Sequence, residues 1–130
     1  MAKRRGYSDS HMQAWWRQAV LAVWGTGCAH CGSPEAHCHH VVPRARRVLR
    51  NDWRNGIPLC AECHRWAHTL EGRRWVESQV DTEYLEARDT NLKEYLFTSG
   101  ITREEFDRKQ LGELKSIASG EPESRLLLRR

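Results

Sequence analysis

Two pairs of cysteines, Cys28 with Cys31 and Cys60 with Cys63, share the Cys-x-x-Cys spacing. A tight turn over that spacing brings two thiolates to one ion, and two such pairs supply the four ligands of a closed tetrahedral zinc site. His30, His37 and Cys38 lie in the same stretch, and each is an alternative for one of the four ligands. A second group of donors sits inside the first. His64 and His68 are four residues apart, so on a helix they face the same side and can hold one ion together. His39 and His40 fall on an extended segment, where neighbours point to opposite faces; one suits a metal and the other a substrate.

The elements that must position these donors follow from pattern. Ser10-His11-Met12-Gln13 reads as a capping box ahead of Met12, Trp15, Trp16, Ala19, Val20, Val23 and Trp24 at helical spacing, which predicts a helix from about His11 to Trp24. Its tryptophans are expected to pack on the metal module rather than to stack on bases. Gly25-Thr26-Gly27 breaks that helix, and the first cysteine knuckle follows. His39 to Val42 is a short β-prone run, Pro43 to Arg54 a basic loop, and Gly56 to Leu59 a second extended piece before a short helix over Glu62 to Leu70. Beyond Gly72, spacing predicts one or two helices broken near Ser99-Gly100, then a further helix opened by a capping box at Thr102 to Glu105 and closed near Gly120. The tail Ser124 to Arg130 is expected to fray. This gives an α+β chain in three parts: a basic arm and helix over 1–24, a metal module over 25–72 and a helical extension over 73–130.

Composition limits the rest. The 130 residues have room for one compact domain and an appendage, and 39% hydrophobic against 29% charged residues suits a modest core stapled by metal. No apolar run is long enough to cross a membrane, and the opening MAKRRGYSDS has no signal-peptide stretch, so a cytosolic protein with reduced cysteines is expected. Residues 1–76 carry 12 Lys and Arg against 5 Asp and Glu, whereas residues 77–130 carry 9 against 12. The cysteine-rich part is therefore the basic part, as phosphate binding requires. Arg44, Arg46, Arg47, Arg50 and Arg54 beside the histidines are expected to clamp a nucleic-acid backbone.

His39-His40, Asn55, Cys60-Ala61-Glu62-Cys63-His64 and His68 together resemble the HNH motif of the ββα-metal nuclease superfamily, over Cys28 to His68. The resemblance implies that His39, His64 and His68 bind a catalytic divalent cation, that His40 is the general base, and that Asn55 holds the loop and orients that base. Many relatives have Asp where His39 stands, and four-cysteine relatives often have Asn where His64 stands. The all-histidine set leaves Mg2+, Mn2+, Ni2+ and Zn2+ open as the catalytic metal beside a structural Zn2+. The implied reaction is metal-dependent hydrolysis of DNA, leaving a 3′-hydroxyl and a 5′-phosphate. A cation is needed because a phosphodiester is an anionic, poor electrophile, and a neutral imidazole suits the base because it takes a proton from water near pH 7. Two further readings use the same residues: an RNase, and a non-catalytic zinc module that binds nucleic acid or protein.

Overall fold

The structure, a computed structural model, describes residues 7–120; the start of the basic arm and the tail Ser124 to Arg130 lie outside them. Helix α1 spans Asp9–Trp24. Its cap is Ser8, not Ser10: the extended Ser8 backbone leaves its hydroxyl to accept from the His11 N–H at 3.3 Å, and Asp9 adds a favourable charge to the first turn. The buried face, Met12, Gln13, Trp16, Ala19 and Val20, recurs at helical spacing. As expected, the tryptophans serve the interior. Trp16 Nε1 donates to the Asp52 carbonyl at 2.8 Å and Trp24 Nε1 to that of Gly56 at 3.1 Å.

Strands β1 (His37–His40) and β2 (Gly56–Leu59) pair antiparallel, with His39 opposite Ile57 and His40 opposite Gly56. β1 begins two residues earlier than its apolar pattern suggests and stops at His40. Beyond it the Val41 N–H still reaches the Asn55 carbonyl, at 3.3 Å, and the Asn55 side chain takes the Val42 N–H, at 2.6 Å. Pro58 is tolerated because a two-stranded sheet is all edge, and its carbonyl accepts from Ala29 N–H at 2.9 Å, tying the cysteine knuckle to β2. Gly56 has a packing reason: a Cβ there would overlap the side chains of Val20 and Trp16, so only glycine lets α1 cross this closely.

Helix α2 covers Ala61–Trp66 and is capped by Cys60, whose Sγ accepts from Cys63 N–H at 3.4 Å. It is shorter than the expected Glu62 to Leu70. The chain turns at Ala67, and Thr69 caps a new helix, α3, over Leu70–Gln79. Three helices, not one or two, precede Gly100, because Asp81 caps α4 (Thr82–Arg88) and Asn91 caps α5 (Leu92–Ser99). Helix α6 (Arg103–Ala118) opens with the expected capping box, in which Thr102 and Glu105 exchange hydrogen bonds at 3.1 Å.

The architecture is therefore α+β: a ββα unit made of β1, β2 and α2, flanked by α1 and by α3 to α6. Its interior is split into small clusters. One gathers Cys28, Ile57, Leu59, Cys60, Cys63, Ala67 and Val76; another joins Trp16, Ala19 and Val20 of α1 to Trp53 and to Leu114 and Ile117 of α6. Among the described residues no helix is long and apolar enough to cross a membrane.

Candidate active site and metal centres

The sulfur atoms of Cys28, Cys31, Cys60 and Cys63 all lie within 4.8 Å of one another, and Cys31 Sγ is 3.6 Å from Cys60 Sγ. Four sulfurs at zinc–thiolate distance around a tetrahedral ion sit about 3.8 Å apart, so the donor set fits zinc. Local geometry makes the cluster: each Cys-x-x-Cys turn sends the N–H of its second cysteine to the sulfur of its first, at 3.5 Å for Cys31 on Cys28 and 3.4 Å for Cys63 on Cys60. Burial pushes the Cys28 thiol up, but the N–H groups of Cys31, Cys60 and His30 outweigh it and bring the thiol down to about 6. Cys63 is driven the other way, by burial and then by the neighbouring thiols. The neighbouring thiols thus oppose a charge on Cys63, and a bound cation would offset that repulsion. The three alternative donors stand apart. His30 Nδ1 lies 3.3 Å from Cys63 Sγ, His37 belongs to neither cluster, and the Cys38 thiol donates to the Arg17 carbonyl at 3.7 Å. Burial raises Cys38 to about 11, so it stays a thiol.

The pleat of β1 separates the histidines as the period of two requires. His39 turns toward α2, with ring centroids 4.8 Å from His64 and 5.6 Å from His68, and ligand atoms of the three lie within 4.8 Å of one another. His68 is not on α2 as expected; it sits in the turn beyond, where its N–H reaches back three residues to the Arg65 carbonyl. That tightened last turn still brings it beside His64, at 5.3 Å between rings. Burial, and then the charges that His64 and His68 would carry, hold His39 down to about 4. Burial and the neighbouring His68 and His37 lower His64 as well. Neutral imidazoles are what a cation needs.

His40 turns to the other face and stacks on Trp16, centroids 3.9 Å apart and planes within 6°. Its Nε2 is 3.0 Å from the Arg50 carbonyl. A carbonyl only accepts, so neutral His40 carries its proton on Nε2 and leaves the Nδ1 lone pair free. Asn55, fully buried, fixes the loop that supplies this carbonyl. Its Nδ2 donates to the carbonyls of Val42 and Leu49, at 3.0 and 3.2 Å, while its Oδ1 accepts from Val42 N–H. The Asn55 side chain thus hydrogen-bonds neither His40 nor the metal cluster; it holds the Leu49 backbone, next to Arg50.

The loop arginines have intramolecular partners. Arg44 and Arg50 share Asp9, at 2.6 and 3.0 Å, and Arg46 pairs with Asp89 at 2.6 Å. Arg47 is exposed on the same loop. Arg54 departs from the expected phosphate clamp. Its guanidinium lies over the rings of Trp53 and Tyr84, at 4.3 and 4.6 Å, and pairs with Glu113 at 3.0 Å and Asp52 at 3.5 Å, docking α4 and α6 onto the chain before β2. Its place is inside, because aromatic faces and two carboxylates compete better for it than water does.

His39, His40, His64 and His68 line one cavity of about 570 Å³, and its far wall is built by α3 and α4, including Arg73, Glu77, Glu86 and Asp89. Sequence reasoning found no site residue in this half. Charged residues on a helix read as solvent-facing unless the packing partner is known, so no local signal marks them.

The ββα unit thus holds a cluster of four thiols and a cluster of three imidazoles, each able to hold a metal ion. Residues 28–70, about a third of the chain, match the family model for HNH endonuclease, and this segment contains β1, β2, α2 and both clusters. No curated protein and no solved structure matches the chain.

Proposed function

We propose that this protein is a metal-dependent endonuclease that hydrolyses phosphodiester bonds in DNA. The observation that carries the reading is the cluster of His39, His64 and His68 on the wall of a cavity that His40 also lines. His39, His64 and His68 hold the divalent cation, which when bound neutralises charge developing on the phosphoryl and leaving oxygens. His39, His64 and His68 would supply three ligands to that cation, whereas the four cysteines would supply the full set for a structural zinc. His40 takes the proton of the attacking water at Nδ1, since Nε2 is committed to the Arg50 carbonyl. Trp16 covers one face of that ring and Asn55 steadies the loop that supplies the Arg50 carbonyl, so the base is held in place. Arg44, Arg46, Arg47 and Arg50 present the loop to the phosphate backbone, where phosphate oxygens replace the carboxylates of Asp9 and Asp89 as partners. Such exposed ion pairs are worth about 0–1 kcal/mol each, so exchanging them costs little.

Supercoiled plasmid incubated with the protein and Mg2+, Mn2+, Ni2+ or Zn2+ is the test. Nicking or linearisation is expected with at least one metal. A His40→Ala variant should bind DNA as the parent does and cleave about 100- to 10,000-fold more slowly, the usual contribution of a general base. Plasmid left intact under all four metals would overturn the assignment, and a parallel RNA substrate decides between the two nucleic acids.

A further inference from the structure

His30 lies between the two cysteines of the first knuckle, yet it ligates nothing in either cluster. Its Nδ1 approaches Cys63 Sγ at 3.3 Å, a hydrogen-bonding distance for nitrogen and sulfur. A thiolate only accepts, so the proton sits on Nδ1. The imidazole is also wedged between two indoles, stacked on Trp66 at 4.3 Å and 26° and edge-on to Trp75 at 4.7 Å and 75°. Trp66 belongs to α2, between His64 and His68, and Trp75 belongs to α3.

The four sulfurs differ in what stabilises their charge. Cys28 and Cys60 each receive an N–H from within their own knuckle, and Cys31 is exposed to water. Cys63 is buried and meets the imidazole that comes from the opposite knuckle. Resting on the zinc reading of the four cysteines, we propose that His30 is a positioning residue of that site: its Nδ1–H holds the Cys63 thiolate, and its ring packs the first knuckle onto α2 and α3. A donor of this kind withdraws charge from the sulfur and keeps it oriented toward the ion, so losing it speeds dissociation of the metal. Because Trp66 stands between His64 and His68 in sequence, the same clamp steadies the helix end that carries the imidazole cluster.

Three variants of the full chain separate donor from ring. His30→Phe keeps the ring and loses the donor, His30→Gln keeps a donor and loses the ring, and His30→Ala loses both; far-ultraviolet circular dichroism matching the parent's establishes that each is folded before it is compared. The readouts are the rate of zinc release into excess chromophoric chelator and the thiolate-to-cobalt charge-transfer band of the cobalt-substituted protein. Zinc release about 10-fold faster or more is expected for Phe and Ala, with the cobalt band displaced to lower energy, because an unbonded thiolate gives up its electron more easily. The Gln variant should keep the parent's band. A Phe variant matching the parent in both readouts overturns the proposal, as does a Gln variant whose band moves as far as that of the Ala variant. If the parent retains no zinc, the thiolate site itself fails, and that outcome is visible before any variant is compared.

Discussion

At the scale of single residues, the site depends on groups whose partners are fixed and whose charge is suppressed. Asn55 is the clearest case: it is fully buried, and its amide is saturated by Val42 and Leu49 backbone groups on a loop with little regular structure. Replacing it by Ala takes the partner from one N–H and two carbonyls; the Leu49 carbonyl is buried and the two Val42 groups are part-buried, so water recovers some of the loss, which is about 1–3 kcal/mol for each group left fully unsatisfied. Asn55→Ala should therefore lower the unfolding free energy by about 2–4 kcal/mol in denaturant titration, and slow cleavage further by freeing the Arg50 carbonyl that orients His40. Unchanged stability would mean that the loop is held by something else. The histidines give a pH dependence with a definite sign. Burial is the largest influence on His40 and lowers it below the ordinary imidazole value, with the positive Arg44 and Arg50 adding to it and the Arg50 carbonyl and Asp9 opposing. His39 and His64 are lowered too. A base with a depressed value is active above it and loses activity as pH falls through it. The acid limb of the cleavage rate, measured at saturating metal, should thus have its midpoint below pH 6.5, and a midpoint above that value would contradict the neutral-base reading.

At the scale of elements, what was legible in the sequence is what local chemistry determines. The knuckles, β2, the Thr102 capping box and the opposite facing of His39 and His40 all follow from spacings of two to four residues. The misplaced boundaries have a common cause: capping competition that pattern alone does not resolve. Ser8 and Ser10 are both good caps, and Thr69 starts α3 where hydrophobic spacing reads α2 as continuing. Gly72 explains why the break works, since a Cβ there would collide with the Trp66 carbonyl; α3 folds back against the end of α2 only because the position is bare. That fold-back was illegible, and with it the wall that α3 and α4 give to the cavity. Arg73 is the cation of that wall facing the histidines among Glu77, Glu86 and Asp89. On the endonuclease reading it contacts the phosphate beside the one being cut. Arg73→Ala should then raise KM for DNA several-fold with a smaller effect on kcat, since charge–phosphate contacts bind ground and transition states alike. An unchanged KM would place the substrate on the loop side of the cavity alone.

At the scale of the whole molecule, stability is distributed over small clusters that share members, and no single core dominates. The cluster around the cysteines is half metal ligands, whereas the one between α1 and α6 is built of Trp16, Ala19, Val20, Leu114 and Ile117. The two are mechanically joined. Trp24 packs against both, Trp16 and Trp24 bond to backbone on either side of the Trp53–Asn55 turn and β2, and Trp53 Nε1 donates to Glu113 of α6 at 2.7 Å. Structural zinc in small modules contributes about 10–16 kcal/mol, which matches or exceeds the roughly 5–15 kcal/mol by which whole domains are stable. Removing it should therefore unfold more than the knuckles. With zinc bound, heating should give one transition, with coincident midpoints in tryptophan fluorescence and in far-ultraviolet circular dichroism. After chelation both signals should collapse together at ambient temperature, because α1 loses the Asp52 and Gly56 carbonyls to which its indoles are bonded, and α6 loses Trp53, which packs between it and α1. If helical signal survives chelation with its own cooperative melt, the α1–α6 pair folds without the metal, and the flanking helices are a scaffold onto which the metal module is grafted.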